Sequence, residues 1–246
     1  VKSHFFANIS HELRTPLTLI LGPLSNILNQ SKHSFKQDVA DQLVMMERNG
    51  KNLLQLVEEI LDLSKFESKK IELVEEPTSL EIYFNQLLEV FNPQLNAQNI
   101  SYTLEIDLCG KDLTALIDRK KIRQVFSNFL SNAIKFTPKG GEIHIKLGVT
   151  HKDIQLIVQD TGKGIHPDDL PHIFDRYYQS KQAEHISKGG TGIGLALVKE
   201  YATLMQGDVF VESELGKGSA FYFEIPLKLS DESPASMHSK KIVDAE

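Results

Sequence analysis

With 246 residues the chain is long enough for more than one folded unit, and its apolar and charged fractions, 41% and 24%, are those of a globular protein. A net charge of −6 and a pI near 5.9 leave no basic footprint for nucleic acid. Cys109 is the only cysteine, which excludes an internal disulfide and a cysteine-based zinc site and suits a reducing compartment.

The chain opens already in helical pattern at Val1-Lys2-Ser3-His4-Phe5, so we expect a piece cut from a longer protein. No apolar run is long enough to span a bilayer and no signal peptide is visible. Membrane contact is therefore expected only through segments absent from this sequence.

Residues 1–67 read as two helices. Phe6, Leu13, Leu17, Ile20, Leu24 and Ile27 form an apolar stripe on the first, and Val39, Leu43, Met46, Leu53, Val57 and Ile60 one on the second. Asn29-Gln30-Ser31-Lys32-His33-Ser34 is the turn between them, and Gly50 weakens the second helix. Two helices with one stripe each cannot enclose a core. Pairing with a second copy into a dimeric four-helix bundle is expected, against packing on the chain's own second domain.

The first helix carries Phe6-Ala-Asn-Ile-Ser-His11-Glu12-Leu13-Arg14-Thr15-Pro16-Leu17. A core helix has little reason to hold His, Glu, Arg and Thr with a kinking proline among them. A reactive histidine on an exposed face explains the set. Thr15 is four residues from His11 and shares its face, whereas Glu12, roughly 100° around the helix, must reach across to it.

From about residue 68 the pattern changes. Glu67-Ser68-Lys69-Lys70 is a polar hinge. Ser79–Leu95 reads as a helix, Ile100–Ile106 as a strand and Leu116-Ile117 as a short one. Asp118 caps a helix running to Phe136, and Thr137–Gly141 is a turn. Glu142–Val149 pairs with Asp153–Gln159, a helix spans Gly192–Met205, and Asp208–Glu214 pairs with Ser219–Ile225. Helices alternating with hairpin-connected strands give an α+β sheet covered on one face. The tail from Ser230 is polar and is expected to be mobile.

Three elements of this second part carry chemistry. Asn128, Asn132 and Lys135, at i, i+4 and i+7, place two amide oxygens and an ammonium on one helix face. Amide oxygens suit a hard cation shared with nucleotide phosphates, and lysine supplies a charge for the same phosphates. An ordinary exposed polar face has the same composition. Asp160-Thr161-Gly162-Lys163-Gly164-Ile165 ends a strand, where a carboxylate can accept from an exocyclic amine while glycines let backbone close on a flat ring. It also reads as a plain turn. Gly189-Gly190-Thr191-Gly192-Ile193-Gly194-Leu195 opens a helix and suits an anion, though it is neither a Walker A motif nor a dinucleotide fingerprint. Between the last two, the loop from His166 to Lys188 holds Phe174-Asp175-Arg176-Tyr177-Tyr178 and suggests a lid over a ligand.

In this order and spacing the motifs resemble those of sensor histidine kinases, whose ATP-binding domain belongs to the superfamily that includes the Hsp90-type chaperones. The resemblance covers about residues 1–227. Asn128–Lys135 looks like the N box, Asp160–Ile165 the G1 box, Phe174–Tyr178 the F box, Gly190–Leu195 the G2 box, and the His11 segment the H box. Ile193 stands where Leu is common.

The resemblance implies a helical hairpin for dimerisation and phosphotransfer over 1–67, an α/β sandwich ATP-binding domain of the GHKL (Bergerat) type over 68–229, and a tail or linker over 230–246. It implies Mg²⁺ held by Asn132 and Asn128, phosphate contacted by Lys135, and adenine bound by Asp160 with Gly162, Gly164 and Ile165. Gly190, Thr191, Gly192, Gly194 and Leu195 complete the cofactor site, and Arg176 stabilises charge during transfer. ATP would phosphorylate His11 with Glu12 as base and orienter, and Thr15 would position water in a phosphatase step. The implied partner is the receiver domain of a response regulator, on another chain or the same one, and the setting is the cytoplasmic side of a membrane-anchored sensor. An ATP-driven clamp without phosphohistidine, or a non-catalytic signalling module, stays open as an alternative. A Ser/Thr/Tyr kinase is excluded, because its His-Arg-Asp and Asp-Phe-Gly signatures are missing.

Overall fold

The computed structural model describes residues 71–108, 113–180 and 191–230 throughout, and within the first 70 only residues 15, 16, 18–20, 22, 23, 42, 45, 46, 49, 50, 53, 56, 59, 60, 62, 63 and 66. They fall into two compact units: the chain to Ile71 together with Asp175–Leu197, and Glu72–Phe174 together with Val198–Glu246.

Every described residue from Thr15 to Phe66 is α-helical. Pro16 lies in helix and is buried, while Thr15 beside it is exposed. The two helical segments meet at Gly50, where a Cβ would stand 3.8 Å from Ile20 Cδ1. His11, Glu12, the turn at 29–34 and the hinge at 67–70 lie outside the described residues. Among the described residues no helix is long and apolar enough to cross a membrane.

The second unit begins with β1 (Glu76–Ser79), followed by α1 (Leu80–Glu89), α2 (Asn92–Ala97), β2 (Ser101–Asp107), β3 (Thr114–Ile117), α3 (Arg119–Phe136), β4 (Glu142–Val149) and β5 (Asp153–Asp160). After α4 (Gly194–Leu204) come β6 (Asp208–Glu214) and β7 (Gly218–Pro226). The expected helix over 79–95 is two helices. Pro93 sits in the first turn of α2, where it needs no donor, and it could not have continued α1.

β1 pairs antiparallel with β3, and the main sheet has the order β2-β4-β5-β7-β6. β2 runs parallel to β4 and the remaining neighbours are antiparallel. Burial alternates along the central strands. Ile143, Ile145, Leu147 and Val149 of β4, Ile154, Leu156 and Val158 of β5, and Phe221, Phe223 and Ile225 of β7 form one apolar face. α3 lays Phe126, Phe129, Leu130, Ala133 and Ile134 toward the core, with Phe129 against Phe221 at a ring separation of 5.3 Å. α1 adds Leu80, Tyr83, Phe84, Leu87 and Leu88, spaced as one helical stripe. This is a mixed helix-and-sheet α+β fold.

Candidate functional site

α3 is the backbone of the site. Asp118 caps it, accepting from the Lys121 N–H at 3.1 Å, and the helix then runs unbroken to Phe136. Tyr201 ties its first half down by donating to Gln124 Oε1 at 3.0 Å. Asn128, Asn132 and Lys135 share one face, as their spacing requires.

Asn128 is nearly buried, and its amide nitrogen donates to the Gln124 carbonyl at 3.0 Å. That bond leaves its oxygen as the group to offer a ligand. Asn132 is half-buried and makes no side-chain hydrogen bond among the described residues. Lys135 occupies the last turn, with its ammonium 5.0 Å from the centre of the Phe136 ring. Two neutral oxygen donors suit a hard divalent cation that takes its other ligands from phosphate and water. The residues present therefore fit Mg²⁺.

Asp160 continues the buried series Ile154, Leu156, Val158 at the end of β5, so strand alternation alone turns its side chain to the covered face. It is 5% exposed. Burial pushes its carboxyl up from the ordinary value, while N–H donors of Gly162 and Ser219 partly offset the shift. A carboxylate held there gains from any further donor, such as an aromatic amine.

The turn after Asp160 is wedged between α3 and the β6–β7 hairpin. Gly162 donates to the Asp160 carboxylate at 2.8 Å, and a Cβ on it would lie 2.6 Å from both that oxygen and the Phe136 carbonyl. Lys163 N–H points at the same carbonyl at 3.4 Å, and the Lys163 ammonium lies 4.9 Å from the Phe136 ring centre. Gly164 has φ +70°, and a Cβ there would be 2.1 Å from the Glu214 carbonyl. Ile165 N–H donates to Ser213 Oγ at 2.9 Å, and Ser213 donates on to the Gly218 carbonyl at 2.8 Å. Gly162 thus sets the Asp160 turn against the C-terminal end of the helix that bears Asn128, Asn132 and Lys135, while Gly164 and Ile165 are fixed against the β6–β7 hairpin.

The remaining residues belong to the other unit. Tyr177, with φ +66°, donates its N–H to the Gly192 carbonyl at 2.8 Å, and Gly192 has φ +68° with no room for a Cβ against the Tyr178 carbonyl. Thr191 is nearly buried, and its hydroxyl accepts from Ile193 N–H at 3.2 Å. The aromatic segment and the glycine segment are therefore locked to each other. Gly194 and Leu195 open α4, and Arg176 is half-buried. Gly190, like His11 and Glu12, lies outside the described residues.

Sequence reasoning missed Ser213, Ser219 and Gly218, which hold the Asp160 turn from the far side. Gly218, at φ +109°, would bring a Cβ to 1.9 Å from the Asp160 carbonyl. The signal in the sequence is Leu215-Gly216-Lys217-Gly218, the connection between the paired strands Asp208–Glu214 and Ser219–Ile225.

Known proteins resemble the chain over both of its parts. The model for the histidine kinase-, DNA gyrase B- and HSP90-like ATPase matches residues 117–229, and that for the His Kinase A (phospho-acceptor) domain matches residues 1–69. The chain is 36% identical to hybrid signal transduction histidine kinase D of Dictyostelium discoideum, over 92% of this chain and 15% of that protein. It is 33% identical to sensor histidine kinase WalK of Bacillus subtilis (strain 168), over 94% of this chain and 38% of that protein. Among solved structures, full-length ShkA in complex with AMPPNP superposes with a TM-score of 0.67 at 30% identity, covering 91% of this chain and 46% of that one. The chain therefore spans less than two fifths of the length of these two curated relatives.

Proposed function

The chain belongs to the sensor histidine kinases of two-component systems, and from that premise we propose that it phosphorylates itself on His11 from ATP and passes the phosphoryl group to an aspartate of a response regulator receiver domain. What supports this above all is the docking of the Asp160 turn onto the C-terminal end of α3, because it joins a buried carboxylate to two amide oxygens and an ammonium on one scaffold.

In this reading residues 1–67 are the dimerisation and phosphotransfer hairpin, 68–229 the ATP-binding domain and 230–246 a tail or linker. Asp160 accepts from the adenine amine, and Gly162, Gly164 and Ile165 shape the ring's slot. Asn132 and Asn128 hold Mg²⁺ and Lys135 meets phosphate. Gly190, Thr191, Gly192, Gly194 and Leu195 supply backbone N–H groups to the phosphates. The bound metal supplies charge neutralisation for phosphoryl transfer.

His11 offers an unprotonated imidazole nitrogen near neutral pH. That nitrogen forms a bond to the γ-phosphorus while the bond from phosphorus to the ADP oxygen breaks. Glu12 holds the proton on the other ring nitrogen and accepts it as charge develops. Arg176 stabilises the negative charge of the transfer. Two copies pair through the hairpin, and the receiver domain docks beside His11. Thr15 positions water when the same surface dephosphorylates the regulator. The whole protein places this domain on the cytoplasmic side of a membrane-anchored sensor.

The test is incubation with radiolabelled ATP and Mg²⁺, wild type beside His11→Ala. Acid-labile, alkali-stable label in wild type and none in the variant is expected. ATP bound and hydrolysed without label would instead favour an ATP-driven clamp, and binding without turnover a signalling module.

A further inference from the structure

Residues 72–79, Glu-Leu-Val-Glu-Glu-Pro-Thr-Ser, have the composition of a free linker, yet they are bolted to the nucleotide unit at successive points. Lys121 Nζ donates to the Glu72 carbonyl at 2.9 Å. Val74 N–H donates to Asp118 Oδ2 at 3.0 Å. Lys228 pairs with Glu75 at 2.6 Å and Arg119 with Glu76 at 3.6 Å. From Glu76 the segment becomes β1 and pairs with β3, whose Leu116 N–H in turn donates to the Lys228 carbonyl at 2.8 Å.

The Val74 side chain is 73% exposed and contributes little packing, whereas the half-buried Leu73 lines a small cleft with Leu116, Ile117, Met205 and Ile225. At Val74 the main chain is held as well, by a carboxylate with a second task. Asp118 Oδ1 makes the helix cap with Lys121 N–H at 3.1 Å. Oδ2 takes both Val74 N–H and Lys121 Nζ, the latter at 2.5 Å. Asp118 is 3% exposed. Burial opposes its charge, but hydrogen bonds from the Lys121 side chain, Val74 N–H and Lys121 N–H outweigh that and hold the carboxyl below its ordinary pKa. A helix cap alone would need only one of these bonds.

We propose that Asp118 and Lys121 are positioning residues that clip residues 72–76 to the start of α3, so that the hinge between the phosphoacceptor hairpin and the nucleotide unit lies upstream of Glu72. This rests on the kinase reading above. The clip fixes where the chain enters the nucleotide unit, and the tether between two reacting groups sets the effective concentration of one at the other. It also joins the incoming chain to the helix that carries Asn128, Asn132 and Lys135. Displacement arriving along the chain therefore meets the first turn of that helix before anything else.

Asp118→Asn isolates the clip. Asparagine is as good a helix cap as aspartate, so the bond to Lys121 N–H survives. The amide nitrogen that replaces Oδ2 cannot accept from Val74 N–H or Lys121 Nζ. Val74→Pro removes the same bond from the other side without touching α3. Both variants are measured in the full chain for hydrogen exchange over 72–76, for binding of a fluorescent ATP analogue, and for the rate of acid-labile label on His11.

We expect the Val74 amide to be protected in wild type and to exchange fast in Asp118→Asn, while Val74→Pro, which has no amide at 74, is read by ATP binding and labelling. ATP affinity should stay within about threefold while the labelling rate falls about tenfold, with the double variant no worse than either single one. Fast exchange in wild type would overturn the clip itself. Wild-type labelling rates in both variants would overturn its positioning role and leave the kinase reading standing. A parallel loss of ATP affinity would make the pair a support of the nucleotide site instead. No label on wild-type His11 would remove the kinase reading and the positioning role with it, while the exchange data would still report on the clip.

Discussion

Gly162 sits so close to the carbonyl of Phe136 that a Cβ there would stand 2.6 Å from that oxygen, and 2.6 Å from the carboxylate of Asp160. One residue thus spaces the Asp160 turn from the helix that bears the amides. Both neighbours are rigid, one being helix backbone and the other a buried side chain with its own hydrogen bond.

Gly162→Ala should therefore move the turn rather than fit beside it. A destabilisation of about 2 kcal/mol is expected from the overpacking, together with a loss of ATP affinity, because Asp160 must shift with the turn. Thermal melts and a nucleotide titration read the two effects. Unaltered affinity in a folded variant would mean that Asp160 does not meet the adenine.

Asp160 has a pH signature. Its folded-state pKa lies above the ordinary value of 3.8 because of burial, so the folded protein binds more protons than the unfolded chain between those two values. This contribution is fully present below the ordinary pKa and is lost as pH rises through the raised one. Asp160→Asn does not titrate and makes no such contribution. The stability of wild type relative to the variant should be greatest near pH 3 and decline toward neutrality, while the variant loses at least tenfold in ATP affinity. Parallel melting curves across that range would show that the carboxylate is not strained by burial.

How far the sequence revealed this site can be judged at α3 and at β1. The bounds of α3 were legible, because Asp118 is a local cap and the apolar stripe continues to Phe136. The Asp160, Gly162, Gly164 motif was legible as well, since strand alternation and glycine chemistry are local. β1 was not legible. Glu-Pro-Thr-Ser has little strand character, and it is extended only because Thr114–Ile117 pairs with it across the fold. The parallel register of β2 with β4 and the Ser213 brace on Ile165 depend on distant partners in the same way. The break between α1 and α2 was visible in Pro93, and the apolar periodicity through Leu95 masked it.

Asn132 separates metal binding from folding. Its side chain is half-buried and makes no hydrogen bond among the described residues. Asn132→Ala should therefore change stability by no more than about 0.5 kcal/mol. If Asn132 holds the cation, calorimetric titration should show weaker ATP binding with Mg²⁺ present and unchanged binding with Mg²⁺ chelated. Equal losses in both conditions would make Asn132 a contact to the nucleotide instead.

Thr15 offers a division between the two activities proposed for the hairpin. It is exposed, and its neighbour Pro16 is buried in the same helix. Thr15→Ala at an exposed helical position costs little stability and slightly improves helix propensity. The proposed autophosphorylation step uses His11 and Glu12, neither of which the substitution alters, so label from ATP should accumulate at the wild-type rate. Dephosphorylation of a phosphorylated regulator needs a water held beside the phosphoryl group, and a methyl group cannot hold it. The phosphatase rate should fall tenfold or more in Thr15→Ala, and Thr15→Ser, which keeps the hydroxyl, should restore most of it. Retained dephosphorylation in Thr15→Ala would remove Thr15 from that step, and loss of both activities together would assign it to the architecture around His11.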